Sequence, residues 1–297
     1  MRRRGNDNSC CKGIIGSIAF IVIGLFLSNW ARQYDSLRAD RAFTEEECTD
    51  WVSHPGRYHA FTSQFTQDRW LYQTFFKHFV HTTGSYLDTS VQFPRYLSNT
   101  YFYDKCLHWE GMCVGLDPVK ANSVRATRTC YYENKCISAT DDHQEVWTSP
   151  SDETVHERTD TTLDSLMAWS RGDWKSMSVE CDFLSEIVKR SDLPIFVDLW
   201  VTDGSLDEFY TSGSLVADII LAKKLWKGST GALWLEGNGY INYGQIQGLS
   251  PVDALFIRED SIWKACHIQA TSNEFLPNQF TANCSALTEE MIRSRHL

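Results

Sequence analysis

The sequence predicts an α/β domain built on a doubly wound, mostly parallel, Rossmann-like sheet that closes with an antiparallel strand. Two short apolar segments, 85–88 and 194–203, each end on an aspartate, which is typical of buried strands that stop at a polar edge. Residues 84–118 hold a strand, a loop, a helix and a second strand, which are the parts of a βαβ unit. Two further apolar runs at 240–247 and 253–258 predict the closing antiparallel pair.

The βαβ unit is predicted to contain a helix over 97–107, where apolar and aromatic side chains recur at helical spacing. Ser98 or Asn99 is placed to cap the first turn of this helix. The second strand is predicted at 112–116. Because parallel strands of such a unit end at the same edge of the sheet, a ligand crevice is expected beyond Asp88.

The remaining elements are predicted from the same apolar patterns. They are a helix at 63–77, a strand or hairpin at 129–138, an exposed loop at 141–160, helices at 163–169 and 182–190, a strand with a helix cap at 214–225, and a helix at 231–241 that ends at glycine. The helix at 63–77 precedes the first strand, so it is expected to cover the sheet.

The composition limits the function classes. Of the 297 residues, 42% are hydrophobic and 13% aromatic, so the chain can fill a sizeable core and is not a disordered protein. The formal net charge is -10, and no concentrated basic patch follows the N-terminus. This charge balance argues against a nucleic-acid partner.

The N-terminal region predicts a membrane anchor. An uncharged apolar run at 13–31 is long enough to span a bilayer core. Arginines and a lysine precede it, so we expect an uncleaved signal anchor with a cytosolic tail at 1–12 and a lumenal or extracellular body. A cleaved signal peptide is the competing interpretation. Cys10 and Cys11 are either palmitoylated beside the membrane or ordinary cytosolic thiols.

The rest of the chain is expected to form a stem at 32–60, a main domain at 61–262 and a C-terminal extension at 263–297. Eight of the ten cysteines follow the anchor, an even number that predicts disulfide bonds in an oxidising, Golgi-like secretory compartment. Their pairing is left open, although Cys130 and Cys136 could close a short hairpin-like loop. No cysteine or histidine spacing predicts a metal site.

A longer motif supports a specific family. Its matching residues are Tyr86, Leu87, Asp88, Pro94, Ser98, Asn99, Thr100, Lys105, Leu107, Trp109, Gly111, Cys113, Val114 and Pro118, with Glu236, Gly239, Tyr240, Asp253, Phe256, Ile257, Arg258 and Asp260 towards the end. This pattern resembles the FkbM-type family of S-adenosylmethionine (SAM)-dependent methyltransferases, especially its membrane-anchored eukaryotic branch. The resemblance extends over about 63–261 with one insertion.

The resemblance implies a class I methyltransferase fold, SAM as the cofactor, and O-methylation of a glycan or small molecule. It implies cofactor contacts at Asp88, Ser90, Asn99, Gly115, Asp117 and Asp203, and pocket-edge positions at Gln67, Asp68 and Glu208. Three ligand-facing positions depart from the family pattern. Ser90 replaces a loop glycine, Gly115 replaces the ribose-binding glutamate, and Ser205 replaces a second glutamate.

These departures leave two functions open, and no residue is assigned a catalytic role. The chain is either a SAM-dependent methyltransferase or a catalytically inactive methyltransferase-fold domain that acts as a structural or protein-interaction subunit. A glutamate lost from the ribose contact costs about 1.5–3 kcal/mol of cofactor affinity. A membrane glycosyltransferase shares the anchor and cysteines but needs a DxD metal motif, which the acids here do not form.

Overall fold

The computed structural model describes residues 44–53, 62–63, 67–79, 83–95, 97–148, 175–223, 225–245, 253–273, 276–288 and 290–291. The predicted tail at 1–12, the anchor at 13–31 and the helix at 163–169 lie outside these residues, as does most of the stem at 32–60. Within the described ranges, none of the helices combines the length and the apolar character that crossing a bilayer requires.

The described chain alternates helices and strands. The helices are α1 (Glu45–Ser53), α2 (Gln67–Thr74), α3 (Tyr101–Cys106), α4 (Ala121–Thr127), α5 (Leu184–Lys189), α6 (Leu206–Thr211) and α7 (Thr230–Gly237), with 3-10 turns at Phe76–Phe79 and Ile262–Ala265. The strands are β1 (Ser85–Asp88), β2 (Glu110–Gly115), β3 (Tyr131–Asn134), β4 (Cys136–Ile137), β5 (His143–Thr148), β6 (Lys175–Asp182), β7 (Phe196–Thr202), β8 (Val216–Ala222), β9 (Tyr240–Gln245), β10 (Ala254–Arg258), β11 (His267–Asn273) and β12 (Leu276–Asn283).

Seven strands form the main sheet in the order β3-β2-β1-β7-β8-β10-β9. The pairs from β3 to β8 are parallel, whereas β10 is antiparallel to both of its neighbours. The predicted α/β class, the mostly parallel Rossmann-like sheet and the closing antiparallel pair are therefore confirmed. The chain runs outward from β1 to β3 and then returns to β7 beside β1, so the strand order reverses between β1 and β7, where ligands of open α/β sheets bind.

The sheet separates two hydrophobic clusters. Along β7, Leu199 and Val201 belong to the cluster that includes α2 and α3, whereas Trp200 belongs to the cluster under α5, α6 and α7. This alternation follows from the two-residue period of a strand. Trp263, which follows β10, is fully buried in the first cluster and packs edge-on against Phe75 at 5.5 Å between ring centroids.

The βαβ prediction is confirmed, with a shorter helix than expected. β1 and β2 are parallel neighbours, and α3 connects them. The helix begins at Tyr101 because Leu97 adopts a left-handed φ of 58°, which interrupts the helical backbone before the first turn. The N-cap residue is Thr100, which makes no side-chain cap, so the predicted cap at Ser98 or Asn99 is wrong; the Ser98 hydroxyl instead accepts from the backbone N–H of Thr100 and Tyr101 at 3.2 and 3.1 Å.

At 129–138, which was predicted as a strand or a hairpin, the strand is confirmed, because β3 joins the main sheet while β4 pairs with β6 in a separate three-stranded sheet of order β4-β6-β5. The expected exposed loop at 141–160 contains β5, which pairs antiparallel with β6 in full register. At 214–225 the strand forms, but no helix cap is observed among its described residues. The helix that ends at glycine is confirmed, with Gly239 at φ +84°.

The predicted disulfide bonds are confirmed by four close pairs, Cys48–Cys106, Cys113–Cys130, Cys136–Cys181 and Cys266–Cys284. The suggested Cys130–Cys136 closure is wrong, because Cys130 pairs with Cys113 and Cys136 pairs with Cys181. The first bond attaches α1 to α3, so part of the predicted stem is fixed to the main domain.

Candidate functional site

The predicted site lies at the carboxyl edge of the main sheet, where β1 and β7 end side by side. Asp88 is the last residue of β1, and Asp203 directly follows β7. Glu208 lies in the first turn of α6, which begins four residues after β7 ends. The short connection therefore brings an acid from α6 to the same edge as Asp88 and Asp203.

Asp88 is buried, and both of its carboxylate oxygens accept hydrogen bonds from the protein. One oxygen accepts from the backbone N–H and the hydroxyl of Ser90, both at 3.1 Å, and the other accepts from the Thr100 hydroxyl at 2.5 Å. The loop after β1 is thereby folded back onto the end of its own strand. Asp88 is committed to these internal contacts.

Arg128, which follows α4, stabilises the contact between Thr100 and Asp88. Its fully buried guanidinium donates to Asp104 at 2.7 Å, and one of its terminal nitrogens donates to Thr100 at 2.7 Å and to the Tyr86 hydroxyl at 3.1 Å. Because Thr100 in turn donates to Asp88, the guanidinium is linked to two buried carboxylates. Such charge-assisted networks fix the geometry of the groups they connect.

The space beside Gly115 is occupied by the protein itself. A Cβ atom at this position would lie 2.7 Å from the carbonyl oxygen of Val91 and 2.7 Å from the hydroxyl of Tyr132, both too close for a side chain. The loop is held there because the N–H of Val91 donates to the carbonyl of Val114 at 3.2 Å. Only glycine fits where the resemblance expects a ribose-binding acid.

Glu208 is buried between two threonines. Thr89 directly follows β1, and Thr202 is the last residue of β7. The carboxylate of Glu208 accepts from the hydroxyls of Thr89 and Thr202, the latter at 2.5 Å. Burial raises its pKa from 4.5 to about 8, with smaller contributions in the same direction from the charges of Asp203 and Asp88. Glu208 therefore holds its proton at neutral pH.

This buried acid predicts a loss of stability with rising pH. Burial also raises the pKa of Asp68, from 3.8 to about 6. In the unfolded chain Glu208 ionises near 4.5, so its contribution is complete below that pH and is lost as the pH approaches 8. Between pH 6 and 8 the free energy of unfolding is expected to fall by roughly 2–3 kcal/mol, most of it from Glu208, because Asp68 is already half ionised at pH 6.

Urea unfolding at pH 6, 7 and 8 measures this fall, and Glu208→Gln provides the comparison because its amide does not ionise. The variant is expected to have a nearly flat dependence over the same range. A pH dependence as steep in the variant as in the wild-type protein would show that another group titrates.

The other predicted residues lie apart from this cluster or serve local structure. Asp117 accepts from the N–H of Val119 at 2.9 Å ahead of α4. Asn99 is only 2% exposed, and its Oδ1 has no hydrogen-bond donor within the described parts of the chain. Asp203 is half-buried and influences Glu208 through its charge. Of the predicted cofactor residues, the structure thus brings together Asp88, Ser90 and Asp203.

The two pocket-edge residues on α2 form internal contacts. Asp68 accepts from the N–H and hydroxyl of Ser63 and from the N–H of Thr62, with distances of 2.5–3.1 Å. Gln67 donates to the carboxylate of Asp253 at 2.7 Å, which connects α2 to the residue before β10. Their assignment to a pocket edge stays a prediction.

Two side chains that shape the edge, Lys223 and Tyr132, were not predicted from the sequence. Lys223 directly follows β8, and its ammonium donates to the Ser90 hydroxyl at 2.7 Å. Tyr132 on β3 fills the space beside Gly115. The position of Lys223 at a strand end was a detectable signal, whereas nothing in the sequence places Tyr132 beside the preceding strand's glycine.

The small sheet packs against the same edge. Its core residues Cys136, Val146 and Val179 contact Leu116, the residue after β2. Directly after β4, the Ser138 hydroxyl donates to the carboxylate of Asp207 on α6 at 3.2 Å. The small sheet therefore covers positions that follow β2 and β7.

A separate groove of about 520 Å³ lies between α1 and α3. It is lined by Glu45, Cys48, Thr49, Val52, Asp104, Lys105, Cys106, His108 and Thr129. None of the predicted site residues borders it. In the described part of the chain, no cluster of three or more histidine, cysteine or acidic side chains is arranged to hold a metal ion.

In the observed conformation, the carboxyl edge does not offer SAM the acidic ribose contact that the resemblance implies. The Val91 carbonyl and the Tyr132 hydroxyl fill the position from which an acid would reach the ribose. Lys223 donates a hydrogen bond to Ser90 in the β1 loop, and both oxygens of Asp88 accept hydrogen bonds from the protein.

Comparisons of the chain with protein-family models, with curated proteins and with solved structures find no match.

Proposed function

We propose that this chain is an FkbM-type, methyltransferase-like protein whose domain no longer transfers methyl groups and acts as a structural or protein-interaction subunit. The motif from Tyr86 to Pro118 supports the family, and a seven-stranded sheet with one antiparallel strand supports the class I methyltransferase fold. The elements that build the fold are retained, whereas the positions that would contact the methyl donor are replaced.

One observation carries the proposal. At Gly115, where the resemblance expects a charged ribose contact, backbone from the β1 loop comes within 2.7 Å of where a Cβ would lie. A charged side chain cannot be accommodated there without moving Val91 away from β2. The change is therefore more than a missing hydrogen bond, because the protein has filled the space.

We further propose that the protein is a single-pass membrane protein anchored by 13–31, with its body in the lumen of the secretory pathway or outside the cell. The positive charges before the apolar run support this orientation. The four disulfides support an oxidising compartment for the body.

Thermal unfolding of the full chain with and without the donor tests the loss of function. A ligand with a Kd of about 10 µM, supplied at about 1 mM, stabilises a protein by about 2.7 kcal/mol, which raises Tm by several degrees. We expect neither SAM nor S-adenosylhomocysteine to change Tm. A dose-dependent rise with either compound would contradict the proposal.

Methyl transfer to a hydroxyl of a glycan or small molecule is the second candidate. The buried Oδ1 of Asn99, which has no donor among the described residues, favours it because a ligand could supply one. Transfer of a labelled methyl group to such an acceptor would establish this candidate over the first.

A further inference from the structure

The ammonium of Lys223 contacts the hydroxyl of Ser90 at the carboxyl edge of the sheet, and the role inferred for this contact rests on the proposed function. β8, which Lys223 follows, lies two strands away from β1, about 10 Å across the sheet. The backbone of Lys223 is fixed at this edge because the N–H of Lys223 donates to the carbonyl of Thr202 at 2.8 Å. To reach Ser90 at 2.7 Å, the side chain of Lys223 must extend over the end of β7.

The contact places a cation among acids. Ser90 donates to Asp88 at 3.1 Å while it accepts from Lys223, so the ammonium is connected to a buried carboxylate through one hydroxyl. Asp203 and Glu208 lie at the same edge, and the charges of Asp88 and Asp203 both act on Glu208. An ammonium is favoured in this position because it balances the negative charge.

A methyl donor of the SAM type brings its own positive charges, a sulfonium and an ammonium, to the site that binds it. We propose that Lys223 acts as an internal substitute for such a bound cation and, with Ser90, forms a strap that holds the β1 loop across the crevice. Ser90 is required because a glycine at its position has no hydroxyl for Lys223 to bind. The serine that stands where the family pattern has a glycine thus supplies the hydroxyl that Lys223 binds.

The loop amides provide a direct measure of this strap. The N–H of Thr89 donates to the carbonyl of Val201 at 2.9 Å, and that of Val91 donates to Val114 at 3.2 Å. These bonds break when the loop leaves the edge. Their hydrogen exchange therefore reports the opening of the loop.

The test is hydrogen exchange on the full chain carrying Lys223→Met, Lys223→Arg, Ser90→Gly or Lys227→Ala. A hydrogen bond to a charged group is worth about 1.5–3 kcal/mol, so Lys223→Met and Ser90→Gly are each expected to speed exchange at 89–91 by about 10-fold or more. Lys223→Arg keeps the cation and its donors, and the exposed Lys227 is the matched control, so both variants should exchange like the wild-type protein.

Unchanged exchange at 89–91 in both Lys223→Met and Ser90→Gly would overturn the strap, as would equal acceleration by Lys227→Ala. Exchange at β8 monitors folding, so a globally destabilised variant is recognised by faster exchange there as well. Binding of SAM to the wild-type chain would instead overturn the proposed function, which makes the two failures distinguishable.

Discussion

Replacing Arg128 with methionine is expected to lower the free energy of unfolding by about 3–5 kcal/mol. The guanidinium is completely buried with Asp104 and also donates to Thr100, which binds Asp88. Methionine preserves much of the volume but leaves the Asp104 carboxylate buried without its counter-ion. Urea unfolding followed by tryptophan fluorescence measures the loss.

The matched control is Arg125→Ala, which removes an exposed arginine from the helix that precedes Arg128. Its guanidinium lies 5.2 Å from the ring centre of Tyr132, so a loss of less than about 1 kcal/mol is expected. Adding Asp104→Leu to Arg128→Met should recover part of the stability, because it removes the stranded charge. A loss below 1 kcal/mol in Arg128→Met itself would refute the role of this network.

Restoring the acid of the family pattern with Gly115→Glu is expected to destabilise the protein and to leave it unable to bind SAM. The new Cβ would collide with the Val91 carbonyl and the Tyr132 hydroxyl, and the carboxylate would enter a buried space. Overpacking alone costs about 1–3 kcal/mol, and the buried charge adds to that, so we expect a loss of at least 3 kcal/mol.

Gly237→Glu is the control for Gly115→Glu, because a Cβ at Gly237 meets nothing within 4 Å. It should change the free energy of unfolding by less than about 0.5 kcal/mol. If Gly115→Glu folded with wild-type stability and gained SAM binding, the space beside β2 would have to be open, contrary to the structure.

Much of the fold could be predicted from sequence because burial patterns are local. The apolar runs that form β1 and β7 are short and end on polar residues. Both strands lie in the centre of the sheet, where a strand is covered on both faces and therefore needs apolar residues at nearly every position. The polar segment with β5 was assigned to a loop because its pairing partner, β6, lies about 30 residues further along the chain. Disulfide pairing was inaccessible for the same reason.

The candidate site was only partly predictable. Asp88 ends β1 and Asp203 follows β7, and parallel strands end at one edge, so their proximity could be inferred. The motif also identified Ser90 and Gly115 as unusual. It could not show that Lys223 binds Ser90 or that Val91 fills the space beside Gly115. These residues are far apart in the chain, and no local sequence pattern indicates contacts between distant segments.

Calorimetric titration of the full chain with SAM tests the central claim most directly. If the Val91 carbonyl, Tyr132 and the Lys223–Ser90 contact occupy the donor's place, the titration should show no saturable heat at ligand concentrations up to about 1 mM, while thermal unfolding remains cooperative. A saturable 1:1 binding heat in the micromolar range would contradict the account.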